Sequence, residues 1–569
     1  MHRIVFTAYL SLLLMLPCVC VFGQSQYAPL NDDYYHLIDR YEILRGRFNE
    51  DFHVAIKPFQ RRAIVNLIDS IEADRSTPLT DQDFFNFEYL RNDSWEWSQQ
   101  RTAQSQKRLL NRFYQKPADF YTLQNKNVDL HLSPVTSVIV GQESASKDFL
   151  WLTARGVELR GLVGKKVGFY TYVADTQGAF ANYVNGYASD LLAIRPGYTN
   201  EAAVVPTEGL AKRIKPNGAD FISARGYISI NPIKQINVQF GHDRHFFGSG
   251  FRSMLLSDVA APYLFLKMTT QLGRFQYVNL WCGMLNDQKE RNVDAVIEKK
   301  YAAIHHLSIN LTKNFNVGIF EAEMFSRPGG SFDLNYLNPI IFYRYVESYL
   351  GSADNAMLGL DFRWNVLKRF GFYGQFMLDE FKTSEYFSKP GSWVKKFGLQ
   401  GGVKYINAFG VKNLDLQGEF NLARPYTYSH KEGGESYVHF NQSLAHPLGA
   451  NFQEFLGILR YQPTRKLTLY GTLQYAKKGL DSDGKNWGGN IMKNYNTRVR
   501  DTGNFIGQGG LVTTTFADFR ASYMLRHNLL IDGRFLVRRQ ASAVESLRQN
   551  TTLVSFGIRL NMAYRQQVF

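Results

Sequence analysis

Cysteine and long apolar runs are both scarce in this sequence. Three cysteines occur in 569 residues, and two of them, Cys18 and Cys20, lie close to the N-terminus. A disulfide scaffold is therefore excluded, and Cys282 is expected to be a free, buried thiol. A nearly unbroken apolar stretch occurs only from Ile4 to Phe22. A helical membrane protein needs several runs of about 20 apolar residues, so that class is excluded as well.

Aromatic residues, glycine and positive charge are abundant. Phe and Tyr number 43 and 33, and the 46 glycines outnumber the 17 prolines. A disordered chain would not carry so many aromatic rings. Lys and Arg exceed Asp and Glu by 65 to 50. Because an exported membrane protein accounts for this charge, the basic pI of about 9.4 does not predict a nucleic-acid partner.

The first 23 residues have the pattern of a secretory signal peptide. His2 and Arg3 form a short basic region, the apolar stretch follows, and cleavage is expected between Gly23 and Gln24. A membrane anchor is disfavoured because no basic stop-transfer cluster follows. Lipidation at Cys18 or Cys20 is disfavoured because Pro17 and Val19 stand where small residues should precede the cysteine.

Residues 24–118 are predicted to form an N-terminal helical domain on the periplasmic side. Apolar residues recur at helical spacing in 31–47 and 58–74, with Pro58 at a position favoured for a helix start. Thr80 and Asp83 resemble a capping box at the start of a third helix. Short helices bury little surface alone, so we expect them to plug or brace the rest of the chain.

Residues 119–569 are predicted to form an all-β transmembrane β-barrel. The hydrophobic period becomes two, as in Ser555–Tyr564, where apolar side chains alternate with polar ones over a strand of about ten residues. A soluble sandwich, the alternative, would have strands of about 5–6 residues. Tight turns alternate with long connections, which indicates about 18 antiparallel strands with short periplasmic turns and long outer loops. An even count would leave Phe569 on the same side as the N-terminal helices.

Several short motifs resemble those of a known family. They are Asn31-Asp32-Asp33-Tyr34-Tyr35, Asn92-Asp93-Ser94-Trp95-Glu96-Trp97, Gly241-His242-Asp243-Arg244-His245-Phe246-Phe247-Gly248, Leu337-Asn338-Pro339, Arg424-Pro425-Tyr426-Thr427-Tyr428-Ser429-His430 and Asn441-Gln442-Ser443-Leu444-Ala445-His446-Pro447-Leu448. In order and spacing they resemble the capsule-assembly (Wzi-like) outer-membrane proteins of Bacteroidota, in particular the gliding-motility RemB-like branch. The resemblance implies a barrel in the cell outer membrane that retains or organises surface polysaccharide, or a part in gliding.

No catalytic or cofactor motif is found. The sequence contains no Gly-x-Ser-x-Gly, P-loop or His-Glu-x-x-His pattern. His242 and His245 would point to opposite faces of a strand, as would His305 and His306, so a metal site is not predicted. The chain is therefore expected to be no enzyme and to bind no cofactor.

Three clusters in the predicted outer loops could bind an acidic polysaccharide, because planar Arg forks pair with carboxylates and aromatic rings cover sugar faces. The proposed binding residues are Arg244, His245, Arg252, Arg424, Tyr426, Tyr428, His446 and Trp487. Tyr426 and Tyr428 would share a face in extended chain. Packing within the loops is the alternative reading of each cluster. Inward-facing Arg520, Arg534, Arg538 and Arg559 predict ion-pair ladders with Asp518 and Asp532, or an anion-selective pore.

Three functions are therefore considered. The first is non-enzymatic binding, tethering or assembly of acidic capsular polysaccharide, with that glycan and outer-membrane lipid as partners. The second is an accessory role in gliding motility or type IX protein secretion, with machinery proteins as partners. The third is a diffusion channel of the porin kind.

Overall fold

The computed structural model describes residues 25–74, 77–99, 104–105, 112–144, 149–193, 202–214, 217–286, 297–352, 354–379, 389–565 and 567–569. The predicted signal peptide lies outside these residues. Of the helices in the described ranges, none has both the length and the apolar character needed to cross a membrane.

The body of the chain is a closed antiparallel β-barrel, as predicted. Over the described residues it has eighteen strands, and the last, β18, pairs with the first, β1, in the register Phe556↔Val140. The strands are β1 (Val128–Glu143), β2 (Phe149–Val163), β3 (Val167–Ala179), β4 (Gly218–Ile233), β5 (Ile236–Asp243), β6 (Tyr263–Leu272), β7 (Phe275–Asn286), β8 (Glu298–Asn310), β9 (Phe315–Phe325), β10 (Asn355–Val366), β11 (Phe370–Asp379), β12 (Lys396–Tyr405), β13 (Leu414–Ala423), β14 (Phe452–Tyr461), β15 (Leu467–Leu480), β16 (Gly510–Arg526), β17 (Leu529–Ser542) and β18 (Gln549–Leu560).

Alternation along each strand separates a lumenal face from an outer face. In β10, Met357, Asp361 and Arg363 are buried inside, whereas Leu358, Leu360 and Phe362 are exposed outside. The same pattern gives apolar outer residues on the other strands, among them Ile222, Phe240, Leu473, Phe535 and Phe556. An apolar outer band opposite a polar lumen is the signature of a barrel that crosses the membrane.

Short and long connections alternate around the barrel. The tight turns lie at one end, which we call the short-turn end; the long connections lie at the other, which we call the long-loop end. The tight turns predicted near Gly164, Gly273, Lys368 and Arg526 all fall between consecutive strands. The alternation read from the sequence is therefore confirmed.

In the described part of the chain, three α-helices precede the barrel and pack inside its short-turn end. They are α1 (Asp32–Arg45), α2 (Arg61–Glu72) and α3 (Asp81–Asp93), and we call residues 25–97 the plug. The predicted capping box of Thr80 and Asp83 is present at the start of α3. Helix α2 begins at Arg61 rather than at Pro58. The apolar stripes of the three helices face one another in a core that includes Tyr41, Ile64 and Phe87.

Buried ion pairs fasten the plug to the wall. Asp39 of α1 accepts a hydrogen bond from Arg363 of β10 at 2.6 Å and another from Lys404 of β12. Arg40 donates to Asp415 of β13 at 2.5 Å. Arg520 of β16 donates to Asp33 at 2.8 Å. These partners lie on strands between β10 and β16, so several neighbouring strands of the wall hold the plug together.

The described residues after β18, 561–565 and 567–569, turn back into the lumen. The ring of Tyr564 lies 3.9 Å from the guanidinium of Arg520, and the ring of Phe569 stacks on Tyr187 at 4.3 Å. Tyr187 belongs to helix α4 (Asn182–Ala193) of the long connection between β3 and β4. The expectation that Phe569 lies beside the N-terminal helices is therefore wrong. An even number of strands determines at which end of the barrel β18 ends, but it does not determine the position of the segment that follows β18.

Candidate functional site

The long connection after β5 folds into the lumen instead of standing at the surface. Phe246–Phe247 pairs with Ile56–Lys57 of the plug in a two-stranded antiparallel sheet. Met254, Leu255 and Leu256 are fully buried in the lumenal core. This connection therefore joins the long-loop end to the plug.

The first predicted binding cluster lies in this inward fold. His245 is buried with its ring 4.5 Å from that of Phe265, and burial lowers the pKa of His245 well below its ordinary value. Arg252 donates to Glu454 at 3.1 Å and to the carbonyl of Val568 at 2.6 Å. Arg244 donates to the carbonyl of Asp258 at 2.9 Å. The expected placement of these residues on the outer surface is wrong, since their polar groups are used within the lumen.

The second cluster, in the connection between β13 and β14, is packed as well. Tyr426 and Tyr428 have φ of 68° and 69°, so the chain is not extended there and the premise of a shared face is wrong. Their hydroxyls donate to the carbonyls of Asn486 at 3.0 Å and Met254 at 2.8 Å. Both rings are buried. A sugar could reach neither ring without unfolding the loop.

The polar members of the second cluster are also engaged. Arg424 donates to the carbonyls of Lys395 at 2.9 Å and Asn504 at 3.1 Å. The His446 ring nitrogen Nε2 lies 2.7 Å from a carboxylate oxygen of Glu454, and both side chains are buried. Packing, the alternative reading, is therefore what the structure shows for Arg424, Tyr426, Tyr428 and His446.

The third cluster, around Trp487, reaches the surface of the long-loop end. The guanidinium of Arg500 lies 5.6 Å from the ring of Trp487 and 5.4 Å from that of Phe505. The guanidinium of Arg498 lies 4.2 Å from the ring of Trp393. Phe505 is 56% exposed, and both arginines are part-exposed. We call Trp393, Trp487, Arg498, Arg500 and Phe505 the arginine–aromatic ridge.

Stacking fixes the two arginines of the ridge while leaving charge at the surface. A guanidinium above an aromatic face is held by the ring's quadrupole and by its planar shape. Arg500 also donates to Gln508 at 3.1 Å, and Arg498 pairs with the exposed Asp501 at 2.6 Å. Trp393 and Phe505 were not singled out from the sequence. Each follows a glycine by two residues in a predicted loop, a pattern too common in loops to mark a site.

A charged cavity of about 320 Å³ lies between the plug and the wall. Ten arginines and one lysine line it, together with eight acidic residues. Arg225 and Arg565 share Glu208, at 3.6 and 3.4 Å. Burial raises the pKa of Glu208, but the charges of Arg565 and Arg225 outweigh it, and the pKa lies below its ordinary value. Arg460 donates to the amide oxygen of Gln417 at 3.1 Å and, within the described residues, has no carboxylate at ion-pair distance. Sequence reasoning missed this cavity because its residues come from distant strands.

Two of the four inward-facing arginines form the predicted ion pairs, whereas Arg520 pairs with Asp33 of the plug and Arg538 donates to the carbonyl of Phe569 at 3.1 Å. Arg534 donates to Asp518 at 2.8 Å, and Arg559 donates to Asp532 at 2.6 Å.

Cys282 is a buried free thiol, as expected. Among the residues that the structure describes, no group of three or more His, Cys, Asp or Glu side chains is arranged to hold a metal ion.

A closed barrel with an apolar outer band, a plugged lumen and inward-folded loops defines an outer-membrane β-barrel protein. Residues 164–527 match the family model of the capsule assembly protein Wzi, which covers more than half of the chain. The chain therefore belongs to the Wzi family of capsule assembly proteins, and its place is the outer membrane.

A solved structure shows the same fold. The chain is similar to Wzi of Escherichia coli, an outer membrane protein involved in group 1 capsule assembly and a carbohydrate-binding β-barrel. The TM-score is 0.56 at 11% identity, over 95% of this chain and 100% of that one. It is also similar to the outer membrane protein OprD of Pseudomonas aeruginosa, with a TM-score of 0.43 at 10% identity, over 76% of this chain and 92% of that one. No curated protein sequence matches the chain significantly.

Proposed function

We propose that this protein binds acidic capsular polysaccharide at its long-loop end and tethers it to the outer membrane without chemical change. The observation that carries the proposal is the arginine–aromatic ridge, in which Arg498 and Arg500 are stacked on Trp393 and Trp487 at a part-exposed surface. Membership of the Wzi family and the carbohydrate binding of the Escherichia coli protein support it.

The chemistry of the ridge suits a chain of uronate sugars. A planar guanidinium pairs with a carboxylate through two parallel N–H donors. The exposed ring of Phe505 beside it offers an apolar surface for the sugar's C–H face. Two arginines side by side along the surface would contact successive acidic units of a polymer. Repetition along the glycan would then add avidity to weak single contacts.

The test measures binding of a uronate polymer such as polygalacturonate to purified protein in detergent. Each charge-assisted hydrogen bond contributes about 1.5–3 kcal/mol, and about 1.4 kcal/mol is a tenfold change in affinity. The double substitution Arg498→Ala with Arg500→Ala should therefore weaken binding by roughly tenfold or more. Added salt should weaken binding by the wild type.

Arg548→Ala is the matched control. Arg548 is an exposed arginine in the connection between β17 and β18, so its loss changes the net charge at the same end of the barrel without touching the ridge. If both variants lost the same amount of polymer binding, net charge alone would account for the effect. Unchanged binding by the double variant would remove the ridge from the site.

Diffusion of small anions is the second candidate function, favoured by the basic cavity. Its lining extends from Arg465 and Lys466 at the short-turn end to Thr207 and Pro447 in the long connections. Single-channel conductance in a planar bilayer tests it, with Arg460→Glu expected to reverse or abolish anion preference. A wild-type protein that does not conduct would rule out this candidate. The role in gliding motility or type IX secretion, and the RemB-like branch, stay predictions from the resemblance.

A further inference from the structure

The connection between β9 and β10 takes a different course from the other long connections. Residues 326–354, which we call the outer-wall loop, contain helix α5 (Tyr343–Leu350) and lie against the outside of the barrel. They pack on Trp281 of β7 and on Ala303 of β8. These two residues alternate with Leu280, Cys282, Ala302 and Ile304, which are buried in the lumenal core, so they belong to the outer face.

The loop reaches far down the wall. The carbonyl of Pro339 accepts hydrogen bonds from Tyr277 at 2.6 Å and from Asn279 at 2.8 Å. Both residues lie near the start of β7, just after the tight turn at Gly273. Because β7 runs from the short-turn end to the long-loop end, a contact at Tyr277 means that the loop covers most of the membrane-facing height of this strand.

Beneath the loop, the outer wall is polar. Asn279, His305, Glu321 and Glu323 all point outward and are all buried by the loop. The ring of His305 lies 3.8 Å from that of Tyr343, and Glu321 accepts from the backbone N–H of Arg344 at 3.0 Å. Lipid would leave such groups unsatisfied. The loop supplies hydrogen-bond partners to Asn279 and Glu321 and a ring contact to His305, so it is a fixed part of the barrel surface. The two carboxylate oxygens of Glu323 have no protein hydrogen-bond partner within the described residues.

The loop's own outer surface is large and apolar. Leu334, Ile340, Phe342, Tyr345 and Tyr349 are between 62% and 83% exposed, and the Tyr345 and Tyr349 rings lie 6.5 Å apart and nearly parallel. The patch continues the apolar outer band formed next to it by Leu358 and Leu360 of β10. A ligand of this patch must therefore lie within the membrane.

Polar groups within the patch argue against lipid as the only neighbour. Asn335, Asn338 and Arg344 are exposed among the apolar side chains, and the Arg344 side chain is 60% exposed although it pairs with Glu347. An arginine facing lipid near mid-membrane costs about 2–4 kcal/mol. Irregular backbone at membrane depth is tolerated where protein covers it. Both features are those of a protein interface inside the membrane.

We propose that the outer-wall loop is the interface through which two copies of this chain associate side by side in the outer membrane. A two-fold contact brings the same patch from each copy together, so the patch must be complementary to itself. This patch has what such a contact needs. It offers apolar and aromatic side chains for a common core, and it offers the amide oxygens of Asn335 and Asn338 as acceptors for the partner's Arg344 guanidinium.

Cysteine cross-linking in native membranes tests the proposal. The chain's own Cys282 is buried, so it gives little background. Single substitutions Leu334→Cys, Ile340→Cys, Tyr345→Cys and Tyr349→Cys are treated with a short bis-maleimide. Leu473→Cys on β15 and Phe556→Cys on β18, which lie on the lipid-facing wall away from the patch, are the controls. We expect a band at twice the monomer mass from at least one patch variant and from neither control.

A second measurement makes the outcome independent of cross-linking chemistry. Light scattering of the wild-type protein in mild detergent should give the mass of two chains, and Tyr345→Ala with Tyr349→Ala should lower it to one. Patch variants that cross-link no better than the controls, together with a one-chain mass, would overturn the proposal. A cross-link to a different polypeptide would also overturn it. Glycan binding is not involved in either readout, so the proposal stands or falls apart from the proposed function.

Discussion

Single buried charged residues anchor the plug to the barrel wall. Asp39 is buried and forms ion pairs with Arg363 of β10 and Lys404 of β12. Burial alone would raise the pKa of Asp39, but the charges of Lys404 and Arg363 outweigh it and hold the pKa far below its ordinary value. The carboxylate is therefore charged at any physiological pH.

Asp39→Asn should loosen the plug. Removing one partner of a buried ion pair costs about 3–5 kcal/mol, since the remaining charges stay buried without compensation. Limited proteolysis of residues 25–97 in the assembled barrel should therefore become faster. Asp81→Asn is the control, because Asp81 pairs with Arg465 in the open, where both side chains are more than 60% exposed. Equal protease resistance of Asp39→Asn and wild type would contradict the role of this pair.

The same residue gives a pH dependence with a definite sign. A carboxyl whose pKa is lower in the folded state stabilises that state above its unfolded pKa of about 4. That stabilisation is lost as the pH falls through the ordinary range and towards the folded pKa. The plug of the wild type should therefore become protease-sensitive in acid, and Asp39→Asn should lose most of this dependence. A steep acid transition that persists unchanged in the variant would assign it to other carboxylates.

Elements with a strong local pattern were predictable from the sequence. The three plug helices and the barrel strands follow from periods of 3.6 and 2, and the capping box of Thr80 and Asp83 marks the start of α3. The turns follow from their Gly and Asn residues. Each of these signals acts over neighbouring residues, so one sequence suffices to read it.

The long connections were not predictable in the same way. Arg244 to Phe247 combine charge and aromatic rings, which suits a surface that binds sugar and equally an inward fold that meets Ile56 and Lys57. Tyr426 and Tyr428 were placed on one face by assuming extended chain, and their positive φ values remove that basis. The outer-wall loop contacts the outward-facing Asn279, His305 and Glu321, and these polar side chains on a lipid-facing wall are explained only once the loop is in place. Tertiary contacts decide these cases.

Helix α2 provides a test of which end of the barrel faces the periplasm. Asp69 of α2 lies in the plug with its side chain 30% exposed. If the short-turn end faces the periplasm, a membrane-impermeant maleimide should not label Asp69→Cys on intact cells. Ser546→Cys, in the exposed connection between β17 and β18, should be labelled under the same conditions. Labelling of the plug position but not of the loop position would reverse the orientation.

Over the described residues, the eighteen strands of the wall close into a barrel. Pairing between β18 and β1 completes the closure, and buried ion pairs join the wall to its contents. We expect the protein in SDS to migrate as a compact species until it is heated and then to run at its chain mass. Identical migration of heated and unheated samples would contradict a closed, kinetically stable barrel.

The pairing of Phe246–Phe247 with Ile56–Lys57 has a mechanical consequence. It connects a segment from the long-loop end directly to the plug, and the plug is in turn anchored by Asp39, Arg40 and Asp33 to β10, β12, β13 and β16. A pull on the outer loops is therefore shared among several strands of the wall between β10 and β16. With this arrangement, force applied to the outer loops at the cell surface would not detach each loop from the barrel separately.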